Sequence, residues 1–129
     1  MTPELTALTL AALLQVVHFL IYSVTAQMQV GTGYALSPRD TPRTLTGVAG
    51  RAQRAMNNHF EGLILFAIAA LVITYADKAT HSTGAVAVVY LIARVLYLPA
   101  YLFGLSPWRS YIWIVGFLAT VYLLIRALT

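Results

Sequence analysis

The chain has no cysteine, which excludes disulfides, thiol nucleophiles and thiolate metal sites. Any sulfur chemistry it performs must come from a ligand. It is also short of charge: 129 residues carry 8 Lys and Arg and 4 Asp and Glu. That is 9% of the chain, against roughly a quarter in an ordinary soluble domain. There is no G-x-G-x-x-G, no P-loop, no Ser/His/Asp set, no internal repeat and no low-complexity tract. His59 has no partner at metal-ligand spacing and His81 falls in a loop, so no metal site is expected. The net charge of +4 forms no soluble basic patch, so no nucleic-acid partner is expected either.

What is present is apolar. Hydrophobic residues make up 60% of the sequence, and the mean hydropathy is +0.77. Four stretches approach the roughly 20 apolar residues that a helix needs to cross a bilayer. They predict an all-α membrane protein, one four-helix transmembrane bundle over residues 1–129, with helices at about 5–28, 48–75, 84–103 and 109–128. Helices are required because lipid offers the backbone no hydrogen-bond partners. The second apolar stretch, from about Phe60, is short; its helix gains length if the preceding polar run forms its first turns. The first stretch is not a signal peptide in pattern: Glu4 is its only preceding charge, and Gln27-Met28-Gln29 is a poor cleavage site.

The one long polar connection, Gly31 to Thr46, reads as a loop with Gly31, Gly33, Pro38 and Pro42. Arg39, Arg43, Arg51, Arg54 and Arg109 share its side of the membrane, opposed by Lys78 and Arg126. The bias in short loops places this long first loop in the cytoplasm. The compact loops suit a bacterial inner membrane.

Within so apolar a chain the polar residues are few and aligned. Arg51, Arg54, Asn58 and Glu61 stand at i, i+3, i+7 and i+10 of the second helix, on one face. Tyr90, Arg94, Tyr97 and Tyr101 stand at i, i+4, i+7 and i+11 of the third. Ionisable residues in lipid tend to pair, line a cavity or carry function. Converging, the two stripes form a pocket with positive charge in excess, where arginine forks take carboxylates and Glu61 takes an ammonium group. The competing reading is that Arg94 and Glu61 neutralise each other across the helices, with Asn58 as hydrogen-bond glue. Gln15, His18 and Tyr22 form a weaker stripe on the first helix, expected to hydrogen-bond between helices. Arg109 opens the fourth helix beside Ser110, either as an interfacial anchor with Trp108 and Trp113 or as a cation for a ligand thiolate. A chain this small has little interior, so a site between subunits is expected.

These residues carry a resemblance. Arg51-x-x-Arg54-Ala-x-x-Asn58-x-x-Glu61, then Phe66, Arg94-x-x-Tyr97-x-x-x-Tyr101 and Pro107-x-Arg109-Ser110 are similar to the MAPEG family, the membrane-associated proteins in eicosanoid and glutathione metabolism. The similarity runs over nearly the whole chain. It implies a homotrimer that binds glutathione, as co-substrate, between adjacent subunits near the cytoplasmic side. By position it assigns Arg54, Asn58 and Glu61, with Arg51 close by, and Arg94, Tyr97 and Tyr101 to glutathione. Arg109 matches the arginine assigned to thiol activation and Ser110 the serine that follows it in the family's prostaglandin synthase, so the resemblance implies these two as the catalytic residues. The implied activity is that of a microsomal-type glutathione transferase or peroxidase acting on a hydrophobic electrophile or lipid hydroperoxide.

The chain departs from that pattern in three places. Met56 stands where the enzymes often have glutamine or histidine, Gly62 where an aromatic often follows the glutamate, and Gln27-Met28-Gln29 where some are basic. The family also includes a non-catalytic lipid-binding member, so fold alone does not decide activity. A non-catalytic trimeric membrane protein that binds lipid or scaffolds a partner is the alternative.

Overall fold

The computed structural model describes residues 1–38 and 43–129. Arg39, Asp40 and Pro42, read above as part of the polar loop, lie outside the described residues. The described residues form five helices and no strand: α1 (Pro3–Val30), α2 (Thr32–Leu36), α3 (Gly47–Tyr75), α4 (His81–Leu102) and α5 (Trp108–Leu128). Of these, α1, α3, α4 and α5 are long and apolar enough to cross a membrane. The protein is a multi-pass membrane protein.

The helix starts are built from local chemistry. Thr2 accepts a hydrogen bond from the Leu5 amide (3.2 Å), with Pro3 in the first turn where its missing N–H costs nothing. Thr80 and Thr83 exchange side-chain and backbone bonds in a reciprocal cap on α4 (3.2 and 2.8 Å). Because α3 starts at Gly47, the polar run from Arg51 to Glu61 occupies its first turns.

The long connection is more ordered than expected. Gly31, at φ 88°, stops α1 in a conformation that side chains resist, and α2 follows at once. Arg43 donates to the Val30 carbonyl (3.1 Å) with its guanidinium 4.5 Å above the Tyr34 ring. Gln29 exchanges two bonds with the Thr46 backbone (2.8 and 3.0 Å), tying the end of α1 to the start of α3. Gln29 thus acts as a clasp between the two helices.

In the bundle α3 lies along α1, and α4 along α5. α1 also meets α4 and α3 meets α5, whereas α1 and α5 do not touch, so α3 and α4 are the inner pair. The core is built from small residues, Ala7, Ala11, Ala69, Ala70, Ala87 and Ala119, around a few large ones. That composition suits lipid, where close approach rather than water exclusion drives helix association. Phe66 of α3 stacks on Tyr90 of α4 with ring centroids 3.9 Å apart, and both are fully buried. Phe66→Ala should therefore destabilise the bundle by about 3 kcal/mol, the low end for such truncations because lipid removes the water-transfer part. A lowered melting temperature in detergent would report it.

At the far end of the bundle Glu4 is fully buried and accepts a 2.6 Å hydrogen bond from the Thr83 hydroxyl. This contact joins α1 to α4. Read along the chain, Glu4 marked only the edge of an apolar stretch.

Candidate functional site

The up-and-down path of the chain sets the position of the site. α3 leaves, α4 returns and α5 leaves again, so the first turns of α3 and α5 and the last turns of α4 share one end of the bundle. Two helix N-termini at that end add partial positive charge, which favours an anion. Arg51, Arg54, Tyr101 and Arg109 line one cavity of about 200 Å³ there. Next to it Asn58, Tyr97, Arg109, Ser110 and Trp113 line a second, of about 170 Å³. A third, also about 170 Å³, has Asn58, Glu61, Tyr90 and Arg94 on its wall and continues down α5 past Trp113 to Gly116 and Thr120. Arg109 belongs to the first two, and Asn58 and Trp113 to the last two. The three cavities therefore form one groove, along which all nine residues that the resemblance assigns are distributed, together with Tyr90.

The aromatic stripe of α4 organises the guanidinium groups. Arg54 Nε donates to the Tyr101 hydroxyl at 3.1 Å, and Arg109 lies 4.7 Å from the centre of the same ring. Tyr101 meets Tyr97 edge to face (5.5 Å, 65°). Arg94 lies 5.3 Å from the Tyr97 ring and 5.8 Å from that of Tyr90. A guanidinium within about 6 Å of a ring face is attracted by the ring quadrupole, an interaction that gains strength away from water. The tyrosines thus hold like-charged arginines along one groove without acidic partners. Arg51 Nε donates to the Leu102 carbonyl (2.8 Å), satisfying the C-terminal end of α4.

Arg94 is 5% exposed and makes the decisive contact. Its Nη1 donates to Asn58 Oδ1 at 2.8 Å, and its Nη2 to the Asn58 carbonyl at 3.5 Å. Glu61 is exposed and, among the described residues, makes no ion pair or hydrogen bond. Of the competing expectation, the Arg94–Glu61 pair does not form among the described residues, whereas Asn58 does bond across the helices, to Arg94. Its bond also orients the amide. Arginine only donates, so Oδ1 faces Arg94 and the Asn58 N–H groups point away from it.

Several residues of the site were not legible as such. Trp113 was placed in an interfacial belt; it stacks on Phe117 (5.1 Å, 13°) and lines two of the cavities. Gly116 and Thr120 extend the same wall, and their small size at one-turn spacing on α5 was the available signal. Met56 is not among the residues lining any of the three cavities, so that departure removes no groove contact.

The stripe on α1 behaves differently from expectation. Gln15 and His18 make no interhelical hydrogen bond among the described residues. The His18 ring instead stacks on His59 of α3, with centroids 4.8 Å apart and planes within 10°. His59 Nε2 donates to the Ala11 carbonyl at 2.9 Å. The α1–α3 seam is thus closed by stacked imidazoles. No group of three or more metal-ligating side chains comes together among the described residues.

A family model described as MAPEG family matches residues 5–129. No curated protein and no solved structure matches the chain.

Proposed function

The chain belongs to the MAPEG family, and from that premise we propose that it is an integral membrane glutathione-dependent transferase or peroxidase. It conjugates hydrophobic electrophiles, or reduces lipid hydroperoxides, through an arginine-stabilised thiolate. The observation that carries this reading is the separation of charge along the groove. Among the described residues the guanidiniums of Arg54 and Arg109 have no acidic partner, while Glu61 has no basic one. A zwitterion with an additional carboxylate and a thiol matches that pattern.

On this reading the Arg54 fork takes a glutathione carboxylate and the Asn58 N–H groups donate to a second acceptor. Glu61 receives the ammonium group. Arg109, half-buried at the first turn of α5 beside Ser110, stabilises the thiolate. The thiol proton passes to solvent. In conjugation the sulfur pair bonds the electrophilic carbon while a leaving group departs with its bonding pair, or while a conjugated double bond takes up that pair and a solvent proton. In peroxide reduction the sulfur pair bonds the terminal oxygen, the O–O bond breaks, and the alkoxide leaves and takes a solvent proton to become the alcohol. A second glutathione thiol then attacks the resulting sulfenic acid, giving the disulfide and water. Fixed positive charge at the sulfur is worth more in a site shielded from water.

The groove is open, and each cavity falls below the roughly 300 Å³ where small-ligand pockets begin. A second copy of the chain closing over it completes the site, in a homotrimer with glutathione at each subunit boundary. The long first loop faces the cytoplasm of a bacterial inner membrane. Titrating detergent-purified protein with glutathione tests the reading directly; saturable binding with trimers in native mass spectrometry is expected. A monomer that binds glutathione equally well refutes the shared site, and trimers that bind none refute the enzyme.

A non-catalytic lipid-binding role draws on one observation. Between α4 and α5, facing away from the groove, an apolar cavity of about 190 Å³ is lined by Val89, Ile92, Ala93, Leu96, Ile112 and Val115. Bound lipid without any thiolate formation would favour that role.

A further inference from the structure

Gly62 replaces the aromatic that often follows the glutamate, and the structure shows what the replacement makes room for. Asn58 and Gly62 are one turn apart on α3, on the face that meets α4. The Arg94 guanidinium lies across both. A Cβ at position 62 would overlap Arg94 Nη2 and stand 3.1 Å from Cζ and 3.5 Å from Nε, so its three nearest neighbours all belong to Arg94. The guanidinium of Arg94 therefore occupies the space that a side chain at position 62 would enter first. With that space available, the guanidinium sinks against α3 and takes both Asn58 oxygens, at 2.8 and 3.5 Å. Glu61, on the wall of the same cavity, is left without a cationic partner among the described residues.

We propose that Gly62 is a specificity-determining positioning residue: by docking Arg94 on Asn58 it keeps Glu61 free to bind the ammonium group of the ligand. This inference rests on the glutathione reading above. Gly62 lines the same cavity but has no side chain to offer a ligand, and it acts through Arg94. In Gly62→Ala the part that gives way is the far end of a flexible side chain, not backbone. The displaced guanidinium then turns to the nearest carboxylate in its cavity, Glu61, and the ammonium group loses its partner. Alanine in place of glycine strengthens the helix itself, so any loss does not come from a weaker α3.

The test compares glutathione with N-acetylglutathione, which lacks the charged amine, in equilibrium binding to the detergent-purified protein. The wild type should prefer glutathione by about ten-fold, corresponding to one good charge-assisted contact. Gly62→Ala should reduce that preference to about two-fold or less. In Arg94→Met the preference should persist at lower overall affinity, and adding Gly62→Ala should then change nothing, since the residue it acts through is gone. A preference unchanged in Gly62→Ala, or lost equally in the Arg94→Met background, overturns the inference while leaving the glutathione reading intact. A wild type that binds neither compound overturns the glutathione reading and this inference with it. Should Gly62→Ala fail to assemble, the double variant decides: recovered assembly supports the Gly62–Arg94 contact, and continued failure refutes it.

Discussion

Arg109→Ala should slow glutathione transfer by about 100- to 1,000-fold at neutral pH, the usual cost of removing one preorganised group that stabilises developing charge. It should leave glutathione binding within a few-fold of wild type, because the proposed reading assigns the carboxylates and the ammonium group to other residues of the groove. A free thiol has a pKa of about 8.5 and is mostly protonated at neutral pH. On the proposed mechanism a guanidinium beside the sulfur lowers that value in the wild type, and its removal should let it return. The sign of the pH dependence follows. Raising the pH from 7 towards 9 should recover much of the lost rate in Arg109→Ala, since the thiolate then forms unaided, and should change the wild type far less. Ultraviolet absorbance of the thiolate, titrated against pH in both proteins with bound glutathione, checks this without an electrophile. A wild type that forms no thiolate near neutral pH rejects the transferase mechanism and favours the non-catalytic role. Equal thiolate in both proteins removes Arg109 from the mechanism. Arg51 is then the next candidate, because it lines the same cavity with one guanidinium nitrogen already bound to Leu102.

Arg54→Ala should weaken glutathione binding by about 1.5–3 kcal/mol, the range for a hydrogen bond to a charged group. The structure sharpens this expectation. Arg54 spends its Nε on the Tyr101 hydroxyl, which orients the guanidinium plane and leaves the terminal fork exposed. A fork held in this way binds a carboxylate through two bonds; an ammonium group offers only a point charge. Arg54→Lys should thus recover less than half of the lost binding energy. Isothermal titration on the detergent-purified protein measures both. Unchanged affinity in Arg54→Ala would make the Arg54–Tyr101 contact a packing feature of α3 and α4 and nothing more.

Much of this was legible in the chain because lipid leaves a sequence few options. Apolar runs had to become helices, and polar residues at i, i+3, i+7 and i+10 had to share a face. That logic placed Arg51, Arg54, Asn58 and Glu61 on one side of α3, and Arg94, Tyr97 and Tyr101 on one side of α4. Other features were illegible for equally physical reasons. The turn of α2 depends on Gly31 breaking α1 and on Arg43 reaching back to Val30, a contact between segments that no local pattern announces. Gln15 and His18 have the spacing of a hydrogen-bonding stripe, yet His18 stacks on His59 because the rotation of α1 against α3 sets the two rings face to face.

The sequence by itself determined the solvent, the element type and the face on which each charge lies. Those properties follow from helical periodicity and from the cost of burying polar groups in lipid, and need no knowledge of neighbours. Only the tertiary structure decided which partner each charge takes. Arg94 had Asn58 and Glu61 within the same span of α3, three residues apart, and spacing favoured neither. The choice turned on the depth to which the guanidinium sinks against α3. That depth is set by the absent side chain of Gly62, a property of the contact between two helices and not of either one alone.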